Sequence, residues 1–328
     1  MKRFLVTGGS GFIGTNLVDA LLKENYTVLN LDREEPVQKH QIQYWKKVDI
    51  LDRARLESEI VGFDPEVIIH LAAITDLNGT TLEYYNANIE GTKNIAEIAA
   101  QLPSLKKVLY TSSMYVCHPG YIPKDFDDYK PHTLYGESKV KGEQIVKAIH
   151  NPSYEWIIIR PTSIWGPWFN IPYIDFFTIV HQGKYFDFGD TCTKTYGYIE
   201  NTTYQIKSLV QAEGLHGKSF YLGDEPPIQI SEWANEISLE MGNGPIKSIP
   251  FFLIRLAAIG GDLLSLIKIK FPMTSFRLRN MTTNNILPLQ NLYKIVGPTP
   301  VTRLEGVKQT IRWLAEVKGY PMKSRQAE

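Results

Sequence analysis

The middle of the chain contains two side chains whose types and spacing suit proton transfer. Tyr135 and Lys139 lie four residues apart in Tyr-Gly-Glu-Ser-Lys, so on a helix both side chains occupy one face. A phenol has a pKa of about 10 and is a poor base at neutral pH. Because a neighbouring ammonium favours the phenolate, we expect a lowered phenol pKa and predict that Tyr135 removes a proton from an alcohol.

A glycine-rich segment near the N-terminus has the spacing of a phosphate cradle. Thr7-Gly8-Gly9-Ser10-Gly11-Phe12-Ile13-Gly14 follows a strand predicted at 4–6 and begins a helix predicted at 12–22. Its glycines allow a sharp turn, close approach to a pyrophosphate and tight helix–strand packing, while the helix N-terminus offers N–H groups. The segment predicts a dinucleotide held by Gly8, Gly11 and Gly14.

The residues that follow the next two strands bear on which dinucleotide binds. Asp32 ends the second predicted strand, where a carboxylate accepts hydrogen bonds from both ribose hydroxyls of NAD and repels a 2′-phosphate. Arg33 can instead pair with such a phosphate, so NADP stays open as the less favoured cofactor. Asp49 and Ile50, after the next strand, are candidates to flank the adenine, although a solvated loop acid explains Asp49 nearly as well.

The elements that must position these side chains alternate along the first half of the chain. Strands are predicted at 4–6, 27–31, 67–71, 107–110 and 156–159, and helices at 12–22, 82–101 and 133–149. Repeated β-α-β units with strands apolar on both faces predict an α/β fold with a Rossmann-type doubly wound parallel sheet. The pattern loosens after Arg160, with a strand at 219–222 and helices at 231–241 and 303–317.

This change of pattern predicts two parts. We expect an NAD-binding domain over residues 1–165, to which segments near 198–222 return, and a smaller, mostly C-terminal substrate-binding lobe over 166–328.

The composition excludes some classes of protein. The 328 residues include 35 Lys and Arg and 35 Asp and Glu, so the formal net charge is zero and no basic block indicates a nucleic-acid partner. Cys117 and Cys192 cannot form a disulfide framework and neither has metal-ligand spacing, so no metal site is predicted. The N-terminal apolar run is too short for a signal peptide, and a cytoplasmic location is expected.

One apolar stretch, Ile249–Phe271, is long enough to cross a bilayer. Each charge near a bilayer centre costs about 2.5–3.5 kcal/mol. Four charged residues interrupt the stretch: Arg255, Asp262, Lys268 and Lys270. A packed helix or two with a break at Gly260-Gly261 is the favoured interpretation, and no stable membrane insertion is expected.

Further motifs occur across residues 1–167: His70-Leu71-Ala72-Ala73, Asn88-Ile89-Glu90-Gly91-Thr92, Ser112-Ser113 and Arg160-Pro161-Thr162-Ser163-Ile164-Trp165-Gly166-Pro167. Together with the glycine segment and Tyr-Gly-Glu-Ser-Lys, they stand in family order and at family spacing. The chain thus resembles an extended short-chain dehydrogenase/reductase of the NAD-dependent sugar-nucleotide epimerase/dehydratase family, which includes UDP-glucose 4-epimerase-like enzymes. After residue 167 the resemblance is thin.

The resemblance implies roles for individual residues. Ser113 would be the catalytic hydroxyl and would contact the substrate with Tyr135, while Thr111 on the same strand is the alternative. Lys139 would partner Tyr135 and hydrogen-bond the nicotinamide ribose. The remaining residues implied at the cofactor are Phe12, Ile13, Leu71, Ala72, Ala73, Asn88, Thr111, Pro161 and Ser163.

Departures from the family patterns narrow the reaction. A 4,6-dehydratase carries an Asp-Glu pair after its catalytic hydroxyl, and enzymes that epimerise at carbons 3 and 5 carry a Cys there, whereas Met114-Tyr115 follows Ser113 here. Lys194 stands where the family has an arginine that touches a nucleotide diphosphate, and a lysine binds phosphate without a bidentate fork. Arg277 or Arg279 can supply that guanidinium, with a solvated surface position as the equal alternative.

The resemblance implies NAD-dependent epimerisation of a nucleotide sugar, with C4 as the favoured position. The positive nicotinamide ring, together with Lys139, would favour the phenolate of Tyr135. Tyr135 would take the hydroxyl proton, hydride would pass to retained NAD, and hydride would return to the other face of the rotated keto sugar. The alternative is an NAD(P)-dependent reductase or dehydrogenase of a nucleotide keto-sugar or a sterol-like alcohol. A non-catalytic dinucleotide-sensing protein is less favoured. Family members are commonly homodimers, so a homodimer is expected.

Overall fold

The computed structural model describes residues 2–150, 152–170, 173–189, 192–266 and 274–320. Its strands are β1 (Arg3–Thr7), β2 (Thr27–Asp32), β3 (Trp45–Lys47), β4 (Val67–His70), β5 (Lys107–Thr111), β6 (Glu155–Pro161), β7 (Ser163–Trp165), β8 (Thr193–Lys194), β9 (Tyr196–Tyr198), β10 (Lys218–Leu222) and β11 (Ile228–Gln229). Its helices are α1 (Phe12–Lys23), α2 (Arg53–Phe63), α3 (Asn86–Ala99), α4 (Leu134–Lys147), α5 (Tyr173–His181), α6 (Ile199–Gln211), α7 (Ile230–Glu240), α8 (Phe251–Leu266), α9 (Ser275–Thr282), α10 (Gln290–Val296) and α11 (Arg303–Lys318).

The central sheet has the strand order β10-β6-β5-β4-β1-β2-β3, and all its neighbouring strands run parallel. The predicted Rossmann-type doubly wound parallel sheet is confirmed. Strand β1 pairs with β2 on one side and with β4 on the other, so the strand order reverses there. In sheets of this kind, ligands bind beyond the carboxyl ends of the strands at the point of reversal.

Two apolar cores cover the two faces of this sheet. On β1, Leu5 packs in one core, whereas Phe4 and Val6 pack in the other, as the alternation of strand side chains requires. Side chains of α2, α3 and α4 complete the first core, and side chains of α1, α6 and α10 complete the second. Because helices cover both faces, the strands are apolar throughout, which explains the Val-Ile-Ile-His sequence of β4.

Backbone contacts divide the chain into two compact units. The first comprises the chain up to Ile164, with Ile199–Gly223 and Pro288–Pro300, and contains the parallel sheet. The second comprises Trp165–Tyr198, Asp224–Leu287 and the chain from Val301. Its core is aromatic, with the ring centroids of Trp165 and Trp233 5.0 Å apart and those of Phe177 and Trp233 5.7 Å apart. That the second unit binds substrate stays a prediction.

The apolar stretch at 249–271 differs from expectation in one respect. Helix α8 runs without interruption through Gly260-Gly261, so the predicted break there is wrong. A helical glycine costs about 1 kcal/mol relative to alanine, which the packing of a whole helix face readily offsets. Lys268, Lys270 and Phe271 lie outside the described residues. Among the helices that the structure describes, none has the length and apolar character needed to cross a membrane.

Candidate active site

Helix α4 carries the predicted acid/base pair near its beginning. The Thr133 hydroxyl caps the helix by accepting a hydrogen bond from Gly136 N at 3.0 Å, and Tyr135 and Lys139 are both buried. The helix lies so close to the segment after β5 that a Cβ on residue 136 would stand 2.2 Å from Tyr115 O. Glycine at this position therefore lets the first turn of α4 lie against Tyr115.

Burial controls the protonation of Tyr135. It raises the pKa of the phenol to about 12, and a hydrogen bond with Ser113 offsets part of this rise. In the protein alone, loss of water around the phenolate outweighs the neighbouring groups, so Lys139 by itself does not bring about the expected lowering of the pKa. The further lowering expected from the positive nicotinamide ring of bound NAD stays a prediction. In the protein alone, Tyr135 is the protonated form, ready to donate rather than to accept a proton.

Lys139 responds to burial in the opposite direction, because its charged form is the protonated one. Burial lowers the pKa of Lys139 to about 8, and the carboxylate of Glu143 opposes that fall. Glu143 lies one turn further along α4 and is itself buried beside Arg160, which donates to it at 2.7 Å from both Nε and Nη2. Lys139 thus remains mostly an ammonium at neutral pH.

The end of β5 supplies the hydroxyl. Ser113 Oγ accepts a hydrogen bond from Tyr115 N at 3.2 Å and also bonds Tyr135, so Ser113 rather than Thr111 contacts the phenol. Thr111 Oγ1 and Ser112 Oγ are buried without a hydrogen-bond partner among the described residues. Both residues line a small cavity together with Lys139. The roles predicted for these residues remain predictions, but the structure brings Ser113, Tyr135 and Lys139 together.

Asn88 holds this arrangement from α3. Its Oδ1 accepts from Ile74 N at 2.7 Å, and its Nδ2 donates to Ile74 O and to Ser138 Oγ, both at 2.9 Å. Ser138 in turn donates to Tyr135 O at 2.7 Å. The buried amide therefore joins the segment after β4 to the turn of α4 that carries the predicted acid/base, which gives Asn88 a positioning role.

The glycine segment after β1 forms a tight turn into α1. Gly8 has a φ of +72°, and a Cβ there would lie 2.5 Å from Ala72 N. A Cβ on Gly14 would lie 2.2 Å from Gly8 O. Gly11 is different: a Cβ there would meet only Gly8 O, at 3.3 Å. Packing within the protein thus requires glycine at positions 8 and 14, whereas at position 11 the packing is less restrictive and close approach of a ligand is a further reason for glycine.

Asp32, at the end of β2, supports this turn. One carboxylate oxygen accepts a hydrogen bond from Ser10 N at 3.0 Å and the other accepts from Glu34 N at 3.0 Å. Burial raises the pKa of Asp32, and these two N–H groups oppose the rise. Arg33 is exposed, and its Nε lies 3.6 Å from Glu34 Oε1, so its charge is already shared with a neighbouring acid.

The other predicted cofactor residues lie on the same unit. Asp49 is exposed, whereas Ile50 is buried in the core beside Gly91. The residues at the carboxyl ends of β1, β4 and β6 or just beyond them are half-buried or buried, namely Phe12, Ile13, Leu71, Ala72, Ala73, Pro161 and Ser163. Their contacts with a cofactor remain predictions.

Comparison with known proteins identifies the family. The family model described as the NAD dependent epimerase/dehydratase family matches residues 4–176. The chain belongs to this family. It is therefore an enzyme of the extended short-chain dehydrogenase/reductase type, a group of NAD-dependent epimerases and oxidoreductases.

Individual relatives align with most of the length of this chain. The N-acetyl-alpha-D-glucosaminyl-diphospho-ditrans,octacis-undecaprenol 4-epimerase of Escherichia coli O157:H7 is 24% identical over 94% of this chain and 94% of its own. The 3-beta-hydroxysteroid dehydrogenase of Mycolicibacterium neoaurum is 30% identical over 74% of this chain and 71% of its own. The structure of UDP-glucose 4-epimerase from Thermotoga maritima with UDP-glucose superposes with a TM-score of 0.74 at 19% identity, covering 96% of this chain and 99% of its own.

The residues of this epimerase/dehydratase family member fit NAD. The position of Gly11, open to close approach, is suited to a pyrophosphate, and Asp32 ends β2 where a ribose would be held.

The sequence did not predict a series of buried hydrogen bonds that runs behind the site through His70. His70 Nδ1 lies 2.7 Å from Thr7 Oγ1, and His70 Nε2 lies 3.3 Å from Thr92 Oγ1, which donates to Asn88 O at 2.8 Å. Because the Thr92 proton is already donated, Nε2 carries the proton and Nδ1 accepts. Burial, aided by the charge of Lys139, lowers the pKa of His70 to about 3, so the ring stays neutral.

Glu143 was also missed, although a signal was present. It follows Lys139 by four residues, the same helical spacing that links Lys139 to Tyr135. For His70 the signal was weaker, since it consisted only of a polar residue at the end of an otherwise apolar strand.

The structure describes only part of the predicted substrate-binding residues of the second unit. Lys194 is half-buried on β8, and Arg279 is exposed on α9. Arg277 lies on the same helix, but its side chain is outside the described part of the structure. Their contact with a diphosphate stays a prediction.

Proposed function

We propose that this protein epimerises a nucleotide sugar at C4 through a transient keto sugar. The observation that carries the proposal is the buried group of Ser113, Tyr135 and Lys139 in a member of the NAD-dependent epimerase/dehydratase family. Two of the compared proteins, from E. coli and T. maritima, are named as 4-epimerases. Met114-Tyr115 after Ser113 supports epimerisation rather than dehydration, since neither side chain offers a carboxyl group for removing water.

In this proposal, proton transfer is centred on the phenol oxygen of Tyr135. Bound NAD would supply the electron acceptor and donor at the sugar carbon. Lys139 stabilises the phenolate, which removes the C4 hydroxyl proton, and the same phenol later returns that proton. Ser113 Oγ holds the reacting oxygen. The cycle restores every group, so the enzyme needs no net oxidant.

The cofactor assignment within the proposal is NAD rather than NADP. The carboxylate of Asp32 would accept hydrogen bonds from the ribose hydroxyls and repel a 2′-phosphate. Arg33, exposed and already near Glu34, does not offset this repulsion. The nucleotide-sugar diphosphate would be held by Lys194, Arg277 or Arg279 in the second lobe, and the enzyme would act as a cytoplasmic homodimer.

Product analysis tests the proposal. The purified protein is incubated with UDP-, GDP-, CDP- and dTDP-hexoses and with a polyprenyl-diphospho-sugar, and the products are assigned by NMR. We expect a C4 epimer from at least one nucleotide sugar without net formation of NADH. Unchanged sugars across the panel would refute the proposal. Net consumption of NAD(P)H with a keto-sugar or a sterol-like alcohol would instead identify a reductase or dehydrogenase, the reaction type of the M. neoaurum relative.

A further inference from the structure

A second tyrosine lies beside the predicted acid/base. The ring centroids of Tyr115 and Tyr135 are 6.0 Å apart, and their ring planes are at 65° to each other. The backbone N–H of Tyr115 donates a hydrogen bond to Ser113 Oγ at 3.2 Å. Tyr115 is therefore in contact with both groups that the proposed function places at the reacting oxygen, although that function gives Tyr115 no role.

The position of Tyr115 is fixed from several sides. It lies in the single helical turn Met114–Val116, which the Ser113 side chain caps. Its carbonyl oxygen lies against α4 at Gly136, where a Cβ would be 2.2 Å from that oxygen. The imidazole of His132 stacks on its ring, with the centroids 5.7 Å apart and the planes at 17°. A side chain held in this way loses little conformational entropy when it binds a ligand, which suits it to distinguish between substrates.

The hydroxyl of Tyr115 is not used by the fold. It has no hydrogen-bond partner among the residues that the structure describes. It also remains accessible, unlike the unpartnered hydroxyls of Thr111 and Ser112, which are sealed within the protein. Partial burial raises the pKa of Tyr115, so this phenol is protonated at neutral pH and can donate. The hydroxyl is thus available to a ligand, the role that tyrosine hydroxyls at half-buried positions commonly take.

The tyrosine on the other side of Tyr135 differs in this respect. The ring centroids of Tyr85 and Tyr135 are 6.1 Å apart. The Tyr85 hydroxyl, however, donates to Asp76 O at 2.9 Å and accepts from Gly79 N at 3.2 Å, so it fixes the loop after β4. Both rings pack on the same phenol, and of the two hydroxyls, that of Tyr115 is the one left for a substrate.

We propose that Tyr115 is a specificity-determining residue, whose hydroxyl donates a hydrogen bond to a sugar hydroxyl that flanks the reacting carbon. This inference rests on the proposed function. Tyr135 would serve the oxygen at C4, and the hydroxyls that flank C4 in a hexose are those at C3 and C6. Because Tyr115 contacts both Tyr135 and Ser113, a sugar oxygen next to the reacting one comes within its reach. A site built to bond a hydroxyl discriminates against a sugar that lacks it.

Tyr115→Phe tests this assignment, because it removes the hydroxyl and keeps both ring contacts. The kcat/KM for epimerisation at C4 is measured with the nucleotide hexose that the protein converts and with its 3-deoxy and 6-deoxy analogues. We expect Tyr115→Phe to lower kcat/KM about tenfold on the hexose and on one analogue, but less than about twofold on the analogue that lacks the bonded hydroxyl. NAD affinity and the melting temperature should match those of the unchanged protein.

Tyr85→Phe is the matched control. It removes the hydroxyl of the other ring that packs on Tyr135, so any loss of kcat/KM should be the same on all three sugars. Circular dichroism and thermal unfolding show that each variant is folded. An active enzyme in which Tyr115→Phe loses nothing, or loses the same factor on all three sugars, would overturn the assignment of Tyr115 and leave the proposed function intact. A protein that converts none of the nucleotide sugars would refute the proposed function, and the assignment of Tyr115 with it.

Discussion

Lys139 and Glu143 lie one helical turn apart on α4, and both are buried. The carboxylate opposes the fall in the pKa of Lys139 that burial causes. Glu143 is also the acceptor for two hydrogen bonds from Arg160, so it is held in place by a residue of β6. The protonation of the predicted catalytic lysine thus depends on an ion pair that forms only when α4 packs on the sheet.

Replacing Glu143 tests this relationship. In Glu143→Gln, the buried guanidinium of Arg160 loses its counter-charge, which should lower the free energy of unfolding by about 3–5 kcal/mol, as measured by urea denaturation. Glu90→Gln is the control, because Glu90 and Lys93 form an exposed pair on α3 whose loss should cost less than about 1 kcal/mol. Equal effects of the two substitutions would contradict the assigned importance of the buried pair.

The pH dependence of activity should follow Lys139. The pKa of Lys139 in the free protein is about 8, so the ammonium is present below this pH and is lost above it. The active form needs the Lys139 ammonium and the Tyr135 phenolate together. Because the pKa of Tyr135 is about 12, kcat/KM should rise with pH up to about 8 and then level off, since the gain of phenolate and the loss of ammonium cancel above that pH. Initial rates across the pH range measure this, with fluorescence confirming the fold at each pH. A rise in kcat/KM that continues well above pH 8 would show that Lys139 does not titrate in this way.

Removing the hydroxyl of Tyr135 should abolish proton transfer. We expect Tyr135→Phe to lower kcat by about 10²–10⁴-fold while leaving NAD affinity nearly unchanged. Tyr154→Phe is the matched control, because Tyr154 is equally buried and its hydroxyl contacts only Tyr110 OH, at 3.5 Å, among the hydrogen bonds described. Full activity in Tyr135→Phe would overturn the acid/base assignment.

Substitutions at two glycines of the segment after β1 distinguish an effect on protein stability from an effect on NAD binding. In Gly14→Ala the new Cβ collides with Gly8 O, so stability should fall by about 1–3 kcal/mol. In Gly11→Ala the backbone φ of −73° suits alanine, and the new Cβ lies 3.3 Å from Gly8 O, which is tighter than usual but far longer than in Gly14→Ala. The melting temperature should therefore change less than in Gly14→Ala while NAD affinity drops. Calorimetry measures both quantities. Undiminished NAD affinity in Gly11→Ala would mean that the pyrophosphate does not approach this turn.

Cofactor choice should depend on the charge of Asp32. Asp32→Asn keeps an acceptor for one backbone N–H but loses the charge, so the preference for NAD over NADP should fall by about tenfold. Binding of the two cofactors is compared by calorimetry, with Glu90→Gln, at an exposed acid on α3, as the control. An unaltered preference would assign cofactor choice to other residues.

Local patterns in the sequence were sufficient for the fold. The spacing of the apolar residues predicted β1, α1, β2 and β4 to within about two residues at each end. This was possible because buried parallel strands and amphipathic helices each have a characteristic spacing of apolar residues over a short stretch of sequence. The glycine spacing and the Tyr-x-x-x-Lys motif were also local, and the structure places Tyr135 and Lys139 on one helix as predicted.

Tertiary packing determined the protonation and pairing of the site residues, which local sequence patterns do not encode. The direction of the pKa shift of Tyr135, the pairing of Glu143 with Arg160 and the neutral His70 all depend on burial by residues distant in the sequence. The uninterrupted course of α8 through Gly260-Gly261 likewise depends on packing against Phe188 and Leu278. The sequence by itself therefore determined which elements form and where the reactive groups stand, whereas the solvation of those groups arose only when the elements packed together and excluded water.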